Sequence, residues 1–416
     1  MPTAIILSQG DEVVTGQTTD TNAAWLATEL THLGFTVLKH VSVGDRKESI
    51  RDQVLEAASE SALVLCTGGL GPTDDDLTAQ AVSDAFNKSL ALDPVALQNI
   101  EEMYRQMKRP MPSVNRKQAF LPEGSQRIDN HWGTAPGFLV REEGCVLAFM
   151  PGVPREMKRM FSHHLLPILH ASFSLAARRL ITIRTTGVGE STLQERLGTF
   201  EHPNAILSYR TKLPENHIKL RFEPSVEQSE AEQIALGLVE RIGSPVFSIE
   251  GISGSPGGDL AEVAGRLLIE REETLAVAES CTGGRVCAMI TKVPGSSVWF
   301  TEGCITYSNL SKTRQLGVPE EKIGAHGAVS EEVCIAMAEG IQRMSNTTYG
   351  LSTTGIAGPG GATPTKQVGT VFIGLKTPEK TYTRCLTLPG DRQRVQTLAS
   401  AAALDLLRRH LQHFLT

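Results

Sequence analysis

The sequence lacks several features that would point to a specialised class of protein. Its seven cysteines are scattered and none forms a C-x-x-C pair, which favours reduced thiols over a disulfide framework. No apolar run reaches the length that spans a membrane. The N-terminus has neither the basic stretch nor the long apolar core of a signal peptide. Together these absences predict a cytoplasmic protein.

The sequence also lacks a long basic run and a patch in which basic and aromatic residues alternate. Lysine and arginine total 40 against 46 acidic residues, a net charge of −6, which argues against direct contact with nucleic acid. The 416 residues contain 40% hydrophobic and 21% charged residues, as is usual for globular proteins. A chain of this length predicts two or three domains.

Strand and helix signals alternate over residues 1–170. The predicted strands lie at 4–7, 35–40 and 62–66, and the predicted helices at 23–33 and 47–58. This βαβαβ order indicates a parallel sheet with helices on both faces, which is a three-layer α/β domain. Ligands of such sheets bind at the carboxyl ends of the strands. The loop that contains Gly10 and Gly16 is predicted to be rich in turns.

A segment rich in glycine and aspartate, Thr67-Gly-Gly-Leu-Gly-Pro-Thr-Asp-Asp-Asp76, follows the third predicted strand. Its glycines allow backbone amides to approach a ligand, and its carboxylates can hold a cation that bridges phosphate oxygens. No Gly-Lys-Ser/Thr closes it, so it is not a Walker loop. An acidic loop that caps the helix near Thr78 explains the same residues equally well. Both interpretations stay open at this point.

Two further loops bring cationic and glycine character that suits a phosphorylated ligand. They are Asn115-Arg-Lys-Gln118 and Gly133-Thr-Ala-Pro-Gly137. A solvated basic helix face is the alternative for the first. A third loop, Pro151–Glu156, offers Arg155 as a weaker candidate for contact with phosphate.

Residues 171–250 predict a small α+β unit that carries no cluster of acid–base or metal-binding side chains. Its predicted strands lie at 178–186, 205–209 and 217–222, and its helices at 191–197 and 226–241. We interpret this unit as a connector, or as a lid that lends groups to a neighbouring site. The glycine-rich residues 251–258 that follow are typical of a linker.

The last region, 251–416, predicts an α/β domain with strands at 275–278, 303–307, 349–353 and 368–375. Ser280 follows the first of these in Glu279-Ser-Cys-Thr-Gly-Gly284, ahead of a helix at 285–292, where unpaired backbone N–H groups favour negative charge. Lys312 follows the second strand. A serine and a lysine at neighbouring strand ends can meet across one sheet edge, as a Ser–Lys hydrolase requires. A serine that only caps a turn is the alternative.

Two more segments of this region are candidates for binding. The strand at 349–353 runs into Thr354-Gly-Ile-Ala-Gly-Pro359, whose amides could stabilise an oxyanion or a phosphate. Arg392, just before a predicted helix at 395–414, suits a phosphate, with a surface ion pair as the alternative.

The whole chain resembles the CinA family of competence/damage-inducible proteins. The N-terminal motifs that carry the resemblance are Gly10-Asp-Glu-Val-Val-Thr-Gly16, Asp20-Thr-Asn22, Thr67–Asp76, Asn115–Gln118, Gly133–Gly137 and Pro151-Gly-Val-Pro154. The C-terminal motifs are Glu279–Gly284, Tyr307-Ser-Asn309 with Lys312, His326-Gly-Ala-Val-Ser330, Thr354–Pro359 and Gly390-Asp-Arg392. Any one of these motifs is weak evidence, but together they are specific.

The resemblance implies a molybdopterin-binding-like domain over 1–170, a connecting domain over 171–250 and a C-terminal domain over 251–416 similar to nicotinamide mononucleotide (NMN) deamidase. This last domain would release ammonia from NMN without a cofactor, in a homodimer. Ser280 would be the nucleophile and Lys312, neutral through partial burial, the general base. Tyr307 and Thr354 would orient the amide or its oxyanion, and Arg392 would contact the ribose phosphate. Further expected substrate contacts are Thr282, Gly283, Gly284, Asn309 and Gly355.

For the N-terminal domain, the resemblance implies a metal-dependent ADP-ribose pyrophosphatase that yields AMP and ribose 5-phosphate. Asp76 falls where the wider fold keeps a functional aspartate, with Asp45 as a second candidate. Together with Asp75 they form the expected ligand set for a divalent metal such as Mg²⁺, with K⁺ as an additional ion. The expected substrate contacts are Gly68, Gly69, Gly71, Asn115 and Arg116.

Two alternatives remain. The thiol of Cys281, beside the serine, is a second candidate nucleophile. The chain could also be a regulatory protein, linked to competence or the response to DNA damage, that binds a nucleotide or a pterin while one or both sites are inactive.

Overall fold

The structure, a computed structural model, describes residues 1–414 and divides into two compact units. The first unit comprises residues 1–178, and the second begins at Arg179. Within the described residues, no helix is both long enough and apolar enough to cross a membrane.

A six-stranded sheet organises the first unit. Its strands, in spatial order, are Thr36–Val43, Thr3–Gln9, Leu63–Thr67, Cys145–Met150, Gly137–Glu142 and Gln126–Ile128. The first four are parallel: three of them correspond to the predicted strands, and the fourth, Cys145–Met150, was not predicted. The last two add antiparallel pairing at one edge. The second strand in this order, Thr3–Gln9, is buried on both faces, because Ile5 and Ile6 point to opposite sides and each meets a separate apolar cluster.

Helices cover both faces of this sheet, so the predicted α/β class is confirmed. The helices are Thr21–Leu33, Lys47–Glu60, Thr78–Ala85, Pro94–Gln106, Pro154–Met160 and Leu166–Ser172, with a 3₁₀ segment at Ser113–Ala119 and a π-helical turn at Phe161–Leu165. Asp20 caps the first of these by accepting a hydrogen bond of 2.8 Å from the Ala23 amide. The prediction of a turn-rich loop around Gly10 was wrong in one respect, because Asp11–Val14 forms a single helical turn.

The second unit begins with a small antiparallel sheet. Its strands, in spatial order, are Ala205–Lys212, Glu215–Phe222, Arg179–Thr186 and Val246–Glu250. The helices Glu190–Leu197 and Gln228–Ile242 contribute apolar side chains to the same core as the sheet.

A five-stranded sheet forms the rest of this unit. Its strands, in spatial order, are Phe300–Ile305, Leu275–Glu279, Tyr349–Gly355, Thr370–Lys376 and Thr381–Thr387, the first three parallel and the last two antiparallel. The helices are Leu260–Glu270, Arg285–Thr291, Asn309–Leu316, Glu320–His326, Glu331–Ser345 and Arg392–Leu411. Three predictions were wrong in detail. The strand at 303–307 lies at 300–305, the edge strand at 381–387 was missed, and the last helix spans 392–411 instead of 395–414.

Candidate active sites

Ser280 lies in a tight turn between a buried strand and a helix. The strand Leu275–Glu279 is entirely buried, and Ser280 itself is only 8% exposed. The chain then turns through Gly283 and Gly284, whose φ angles of 64° and 95° are left-handed values that suit glycine. The turn therefore holds the serine hydroxyl just beyond the carboxyl end of a central strand.

Lys312 approaches this serine from the neighbouring segment. The helix Asn309–Leu316 begins at the cap residue Ser308, and Lys312 lies one turn further on with 1% exposure. Its Nζ atom lies 3.1 Å from Ser280 Oγ and donates a hydrogen bond of 2.8 Å to the Thr306 carbonyl oxygen. The two side chains meet because the strands that precede them are parallel neighbours.

The surroundings of Lys312 favour its neutral form. Burial lowers the pKa of the Lys312 ammonium below its ordinary value, and a weaker effect of Cys281 opposes it. Its hydrogen-bond partners are a hydroxyl and the carbonyl oxygens of Thr306 and Tyr307, which carry no formal charge. A buried amine of this kind can accept the proton of a serine hydroxyl.

Glu279, a residue that sequence reasoning missed, anchors the serine turn. Its carboxylate is fully buried and accepts hydrogen bonds from the amides of Gly284 at 2.9 Å, Val286 at 3.2 Å and Cys287 at 2.8 Å. A carboxylate next to a helix N-terminus is favourable, so its place in the sequence was a usable signal.

These contacts occupy the backbone amides of two glycines that the sequence predicts as substrate contacts. The Gly284 amide is engaged by Glu279, and the Gly283 amide donates to the Ser280 carbonyl oxygen at 3.2 Å. Neither amide is therefore free to hold an oxyanion. In the part of the chain that the structure describes, the amide of Thr282 donates no hydrogen bond, whereas the amide of Cys281 is engaged by its own thiol. Thr282 therefore offers a free donor two residues after the serine.

Two further contacts hold the turn from the other side. Gln396 Nε2, in the last helix, donates a hydrogen bond of 2.9 Å to the Cys281 carbonyl oxygen. The hydroxyls of Thr282 and Thr353 are 2.7 Å apart in the buried interior. Thr282 therefore packs inside the domain, which is a structural reason for its presence besides the expected substrate contact.

Arg392 and Tyr307 form a polar bridge in the same domain. Arg392 Nη2 donates to the Tyr307 hydroxyl at 3.0 Å, and Arg392 Nη1 donates to the Gly358 carbonyl oxygen at 2.8 Å. Tyr307 is 62% exposed, so both groups are accessible from solvent. Asn309 is also exposed, at the start of its helix.

Thr354 and Gly355 have structural roles that sequence reasoning did not foresee. The Thr354 hydroxyl is buried and donates a hydrogen bond of 2.7 Å to the Ala328 carbonyl oxygen, so it can only accept from a substrate as it stands. A Cβ atom at Gly355 would lie 2.7 Å from the Thr370 carbonyl oxygen. Close packing against the neighbouring strand therefore explains this glycine.

Cys281 is poorly suited to be the nucleophile. It is 5% exposed and belongs to the hydrophobic core of the domain. Burial raises the pKa of the Cys281 thiol to about 12, so the thiol stays protonated at neutral pH. This finding counts against the alternative of thiol chemistry.

The first unit contains a separate candidate site, an acidic cavity of about 460 Å³ at the carboxyl ends of its parallel strands. It contains all three aspartates and all three glycines expected from the sequence, together with two glutamates that were not expected. The residues that define this acidic cavity include Glu12, Asp45, Gly68, Gly69, Gly71, Asp75, Asp76 and Glu156. Neither Asn115 nor Arg116 lines it. Asn115 is instead buried and donates to Gln118 Oε1 at 2.9 Å, and Arg116 is exposed.

Hydrogen bonds hold two of these carboxylates in place. Asp45 accepts from Gln9 Nε2 at 3.0 Å and from the Asp11 amide at 2.9 Å. Asp76 accepts on Oδ2 from the Thr73 amide at 2.9 Å and from the Thr73 hydroxyl at 2.5 Å.

The expected metal set of Asp45, Asp75 and Asp76 does not form a ready-made metal cage. Among residues 1–414, no three or more His, Cys, Asp or Glu side chains are grouped closely enough to hold a metal ion. Mg²⁺, however, commonly binds one or two carboxylates and completes its shell with substrate phosphates and water. The oxygen-rich lining fits a Mg²⁺ of that kind, with Asp76 the better candidate because no hydrogen bond engages its Oδ1 in the described chain.

Residues 68–71, which we call the glycine loop, contain three successive backbone amides without a hydrogen-bond partner in the described chain. Within the described residues, the amides of Gly69, Leu70 and Gly71 donate no hydrogen bond. Gly69 has a φ of 64°, and a Cβ there would collide with the side chain of Gln9. Consecutive free N–H groups of this kind form a cradle for anions such as phosphate.

The fold and these sites define a class of protein with two α/β domains. The N-terminal one contains a glycine-lined acidic cavity, and the C-terminal one contains a buried Ser–Lys pair. Residues 5–171 match the family model described as "Probable molybdopterin binding domain", and residues 257–411 match "CinA C-terminal domain". A CinA-like protein of Desulforapulum autotrophicum is 40% identical in sequence to this chain, and the alignment covers 98% of this chain and 97% of that protein. The chain belongs to the CinA family.

Two further matches extend this comparison. A putative competence-damage inducible protein of Caldicellulosiruptor saccharolyticus is 38% identical over 99% of this chain and 100% of its own length. A solved structure of the protein CinA from Thermoplasma acidophilum is 32% identical with a TM-score of 0.38, covering 40% of this chain and 98% of that one.

Proposed function

We propose that the C-terminal domain deamidates NMN to nicotinate mononucleotide and ammonia. The observation that carries the proposal is the distance of 3.1 Å between Ser280 Oγ and Lys312 Nζ, with the lysine buried among groups that carry no formal charge. A serine next to a neutral amine can be activated for attack on an amide carbon. The proposal needs no cofactor at this site.

The reaction proceeds through an acyl-enzyme. Lys312 takes the hydroxyl proton as Ser280 attacks the carboxamide carbon, and the free amide of Thr282 stabilises the oxyanion. The lysine then returns the proton to the departing amine, which leaves as ammonia. Water, deprotonated by the same lysine, attacks the ester carbon, and the serine recovers its proton as nicotinate mononucleotide is released.

Many amides could be substrates of a Ser–Lys pair, and our choice of NMN among them rests on the bridge between Arg392 and Tyr307. A phosphorylated nucleotide is an anion, and Arg392 is a cation that solvent can reach. The tyrosine hydroxyl already accepts from this guanidinium, so the two groups can bind the ribose phosphate or the ring as a unit. If these two groups bind the nucleotide in this way, NMN is the amide that the Ser–Lys pair hydrolyses.

The decisive experiment measures ammonia release from NMN by the full chain and by Ser280→Ala. We expect release by the wild type and its loss in the variant. The matched control is Ser296→Ala, which removes a hydroxyl elsewhere in the domain. No release from folded wild-type protein would refute the proposal.

We also propose that the N-terminal domain hydrolyses ADP-ribose to AMP and ribose 5-phosphate. The support is the acidic cavity beside three free successive amides, because amides bind phosphate and carboxylates bind a cation. When bound, Mg²⁺ would neutralise the diphosphate. Asp76 and Asp45 would hold this ion. Water would then hydrolyse the phosphoric anhydride bond between the two phosphates.

One observation favours a second candidate function for this domain. Without a ready-made metal cage in the described residues, the cavity could bind a nucleotide or a pterin and not turn it over. Relatives named competence-damage inducible proteins are compatible with such a regulatory role. Saturable binding of ADP-ribose with no AMP formed, in the presence of Mg²⁺, would support this alternative over hydrolysis.

A further inference from the structure

The small antiparallel sheet of the second unit has an open edge at Ala205–Lys212, which we call the open strand. Within the described residues it pairs with Glu215–Phe222 on one side only, and it stands at the end of the strand order. It contains 8 residues, which makes it longer than the usual strand. A long edge of this kind offers its backbone to a further strand.

The backbone groups that face the open edge belong to alternate residues. Where the ladder begins, the Glu223 amide donates a hydrogen bond of 2.8 Å to the Asn204 carbonyl oxygen. Hydrogen-bonded and non-hydrogen-bonded pairs alternate along an antiparallel ladder, so the even-numbered residues of the open strand bond to the neighbouring strand. The amides that therefore face outwards, without a partner among the described residues, are those of Leu207, Tyr209 and Thr211.

One face of the sheet beside this edge carries cations without anionic partners. Because side chains alternate along a strand, Arg210 and Lys212 of the open strand lie on the face opposite the apolar core. Lys219 and Arg221 of the neighbouring strand lie on the same face. These four residues, which we call the basic face, form no ion pair or hydrogen bond with any other described residue.

Two carboxylates on the same side of the sheet are already engaged. Arg184 Nη2 donates to Glu215 Oε2 at 2.8 Å, and Arg184 Nη1 donates to Glu250 Oε1 at 2.9 Å. Burial lowers the pKa of the Lys219 ammonium, and the Arg210 guanidinium lowers it further, whereas Glu250 has a smaller effect in the opposite direction. An anion that approaches the basic face would therefore offset the repulsion between its cations.

The opposite side of the open strand borders an apolar groove of about 710 Å³. Leu207 and Tyr209, whose amides face the edge, line this groove and pack against the core of the small unit. Phe200 and His202 line it as well, with stacked rings whose centroids are 6.5 Å apart. A strand added at the edge would place every second side chain over the groove and the others over the basic face.

We propose that the open strand binds an extended peptide of a partner protein in which acidic and apolar residues alternate. The peptide adds a strand to the sheet through backbone hydrogen bonds. Its acidic side chains lie over the basic face, and its apolar side chains lie over the groove. This surface is separate from the Ser–Lys pair, so the proposal does not depend on the deamidase function.

Two other occupants match these observations less well. The outward side chains of the two strands include no Phe, Tyr or Trp, the rings on which single-stranded nucleic acids stack. A second copy that paired through the same strand would bring two basic faces together, and like charges side by side oppose association. An acidic peptide strand complements both the backbone of the edge and its charge.

The test titrates the full chain into a fluorescently labelled synthetic peptide and measures anisotropy. The peptide alternates glutamate and valine over about eight residues, enough to pair along the open strand. We expect saturable binding that weakens about tenfold or more when lysine replaces glutamate in the peptide, because like charges then meet. Absence of saturable binding to the wild-type chain overturns the proposal.

Charge reversal on the protein supplies the second arm. Lys219→Glu combined with Arg221→Glu should weaken binding of the acidic peptide about tenfold or more. Lys292→Glu combined with Lys322→Glu makes the same change of net charge at two exposed lysines of the last domain, and should leave the affinity unchanged. Equal affinities in the two double variants overturn the proposal.

Two N-methylated peptides test the backbone pairing, and they carry the test if the charge-reversed protein does not fold. One peptide is methylated on alternate amides, and the other on the remaining amides. Only one of these sets points at the open strand, so one peptide should bind about tenfold or more weakly, as expected for several lost hydrogen bonds. The other should bind like the unmodified peptide. Equal affinities for the two methylated peptides overturn strand addition.

The competing occupants give distinct results. A single-stranded oligonucleotide that binds more tightly than the peptide, and loses this binding in Lys219→Glu with Arg221→Glu, would assign the surface to nucleic acid and overturn the proposal. Sedimentation velocity compares the oligomeric state of the same variant with that of the wild type. A changed oligomeric state would place a second copy at the open strand and overturn the proposal, whereas an unchanged state with lost peptide binding supports it.

Discussion

Glu279 Oε1 accepts a hydrogen bond of 2.8 Å from the amide of Cys287, which lies in the helix after the serine turn. Through this contact a buried anion neutralises the positive N-terminal end of that helix. Because Glu279 directly precedes Ser280, the same contact ties the turn that presents the serine to the helix. The position of the hydroxyl therefore depends on a carboxylate that does not itself touch it.

Glu279→Gln should destabilise the protein and slow the deamidase reaction. The amide keeps the size of the side chain but loses the charge and places a donor among backbone N–H groups, so a loss of about 1–3 kcal/mol is expected. Urea denaturation measures this loss, and ammonia release measures the rate. Glu270→Gln, an exposed carboxylate, is the control. Wild-type stability in Glu279→Gln would show that the charge is not needed.

The deamidase rate should depend on pH through Lys312. Because burial lowers the pKa of this ammonium, the neutral base forms at lower pH than for an exposed lysine. The rate is expected to rise with pH through that lowered pKa and to be lost as the pH falls below it, as kcat/KM for NMN would show.

Lys312→Met supplies the control for this pH dependence. The variant should have little activity at any pH, and Lys322→Met, at an exposed lysine, should keep the wild-type profile. The same acidic limb in an active Lys312→Met variant would exclude the lysine as the base.

Arg392→Ala should weaken substrate binding more than it slows the chemical step. Loss of a charged hydrogen bond to phosphate raises KM for NMN by about 10- to 100-fold. Nicotinamide riboside, which has no phosphate, should be hydrolysed equally by the wild type and the variant. Arg394→Ala, two residues along the same helix, is the matched control. An equal loss for both substrates would place Arg392 away from the phosphate.

Asp76→Asn should abolish AMP formation from ADP-ribose and leave ammonia release from NMN intact. Asp76 keeps one carboxylate oxygen free for a cation, and an amide binds a hard cation far more weakly. Asp74→Asn, at an exposed aspartate of the same run that does not line the acidic cavity, is the matched control. Chromatography of the nucleotide products separates the two outcomes. Full AMP formation by Asp76→Asn would exclude the metal site proposed at this aspartate.

Helices and strands with a strong local pattern of apolar residues could be predicted from the sequence. Partly exposed strands could not. The strand at 275–278 was recognised because a short apolar run before a glycine turn is buried on both faces. The edge strand Thr381–Thr387 was missed, because its polar and partly exposed residues carry no such pattern. Tyr307 was assigned to a strand on local preference, but that strand ends at Ile305.

The sequence was sufficient to find the strand, the turn and the serine, since hydrophobic periodicity and glycine act over a few neighbouring residues. It did not show that the amides of Gly283 and Gly284 are occupied, because that depends on how the turn closes on Glu279. Lys312 comes within reach of Ser280 from 32 positions away only after two strands pair. The lowered pKa of this lysine likewise exists only in the folded chain, because desolvation depends on atoms brought together by packing.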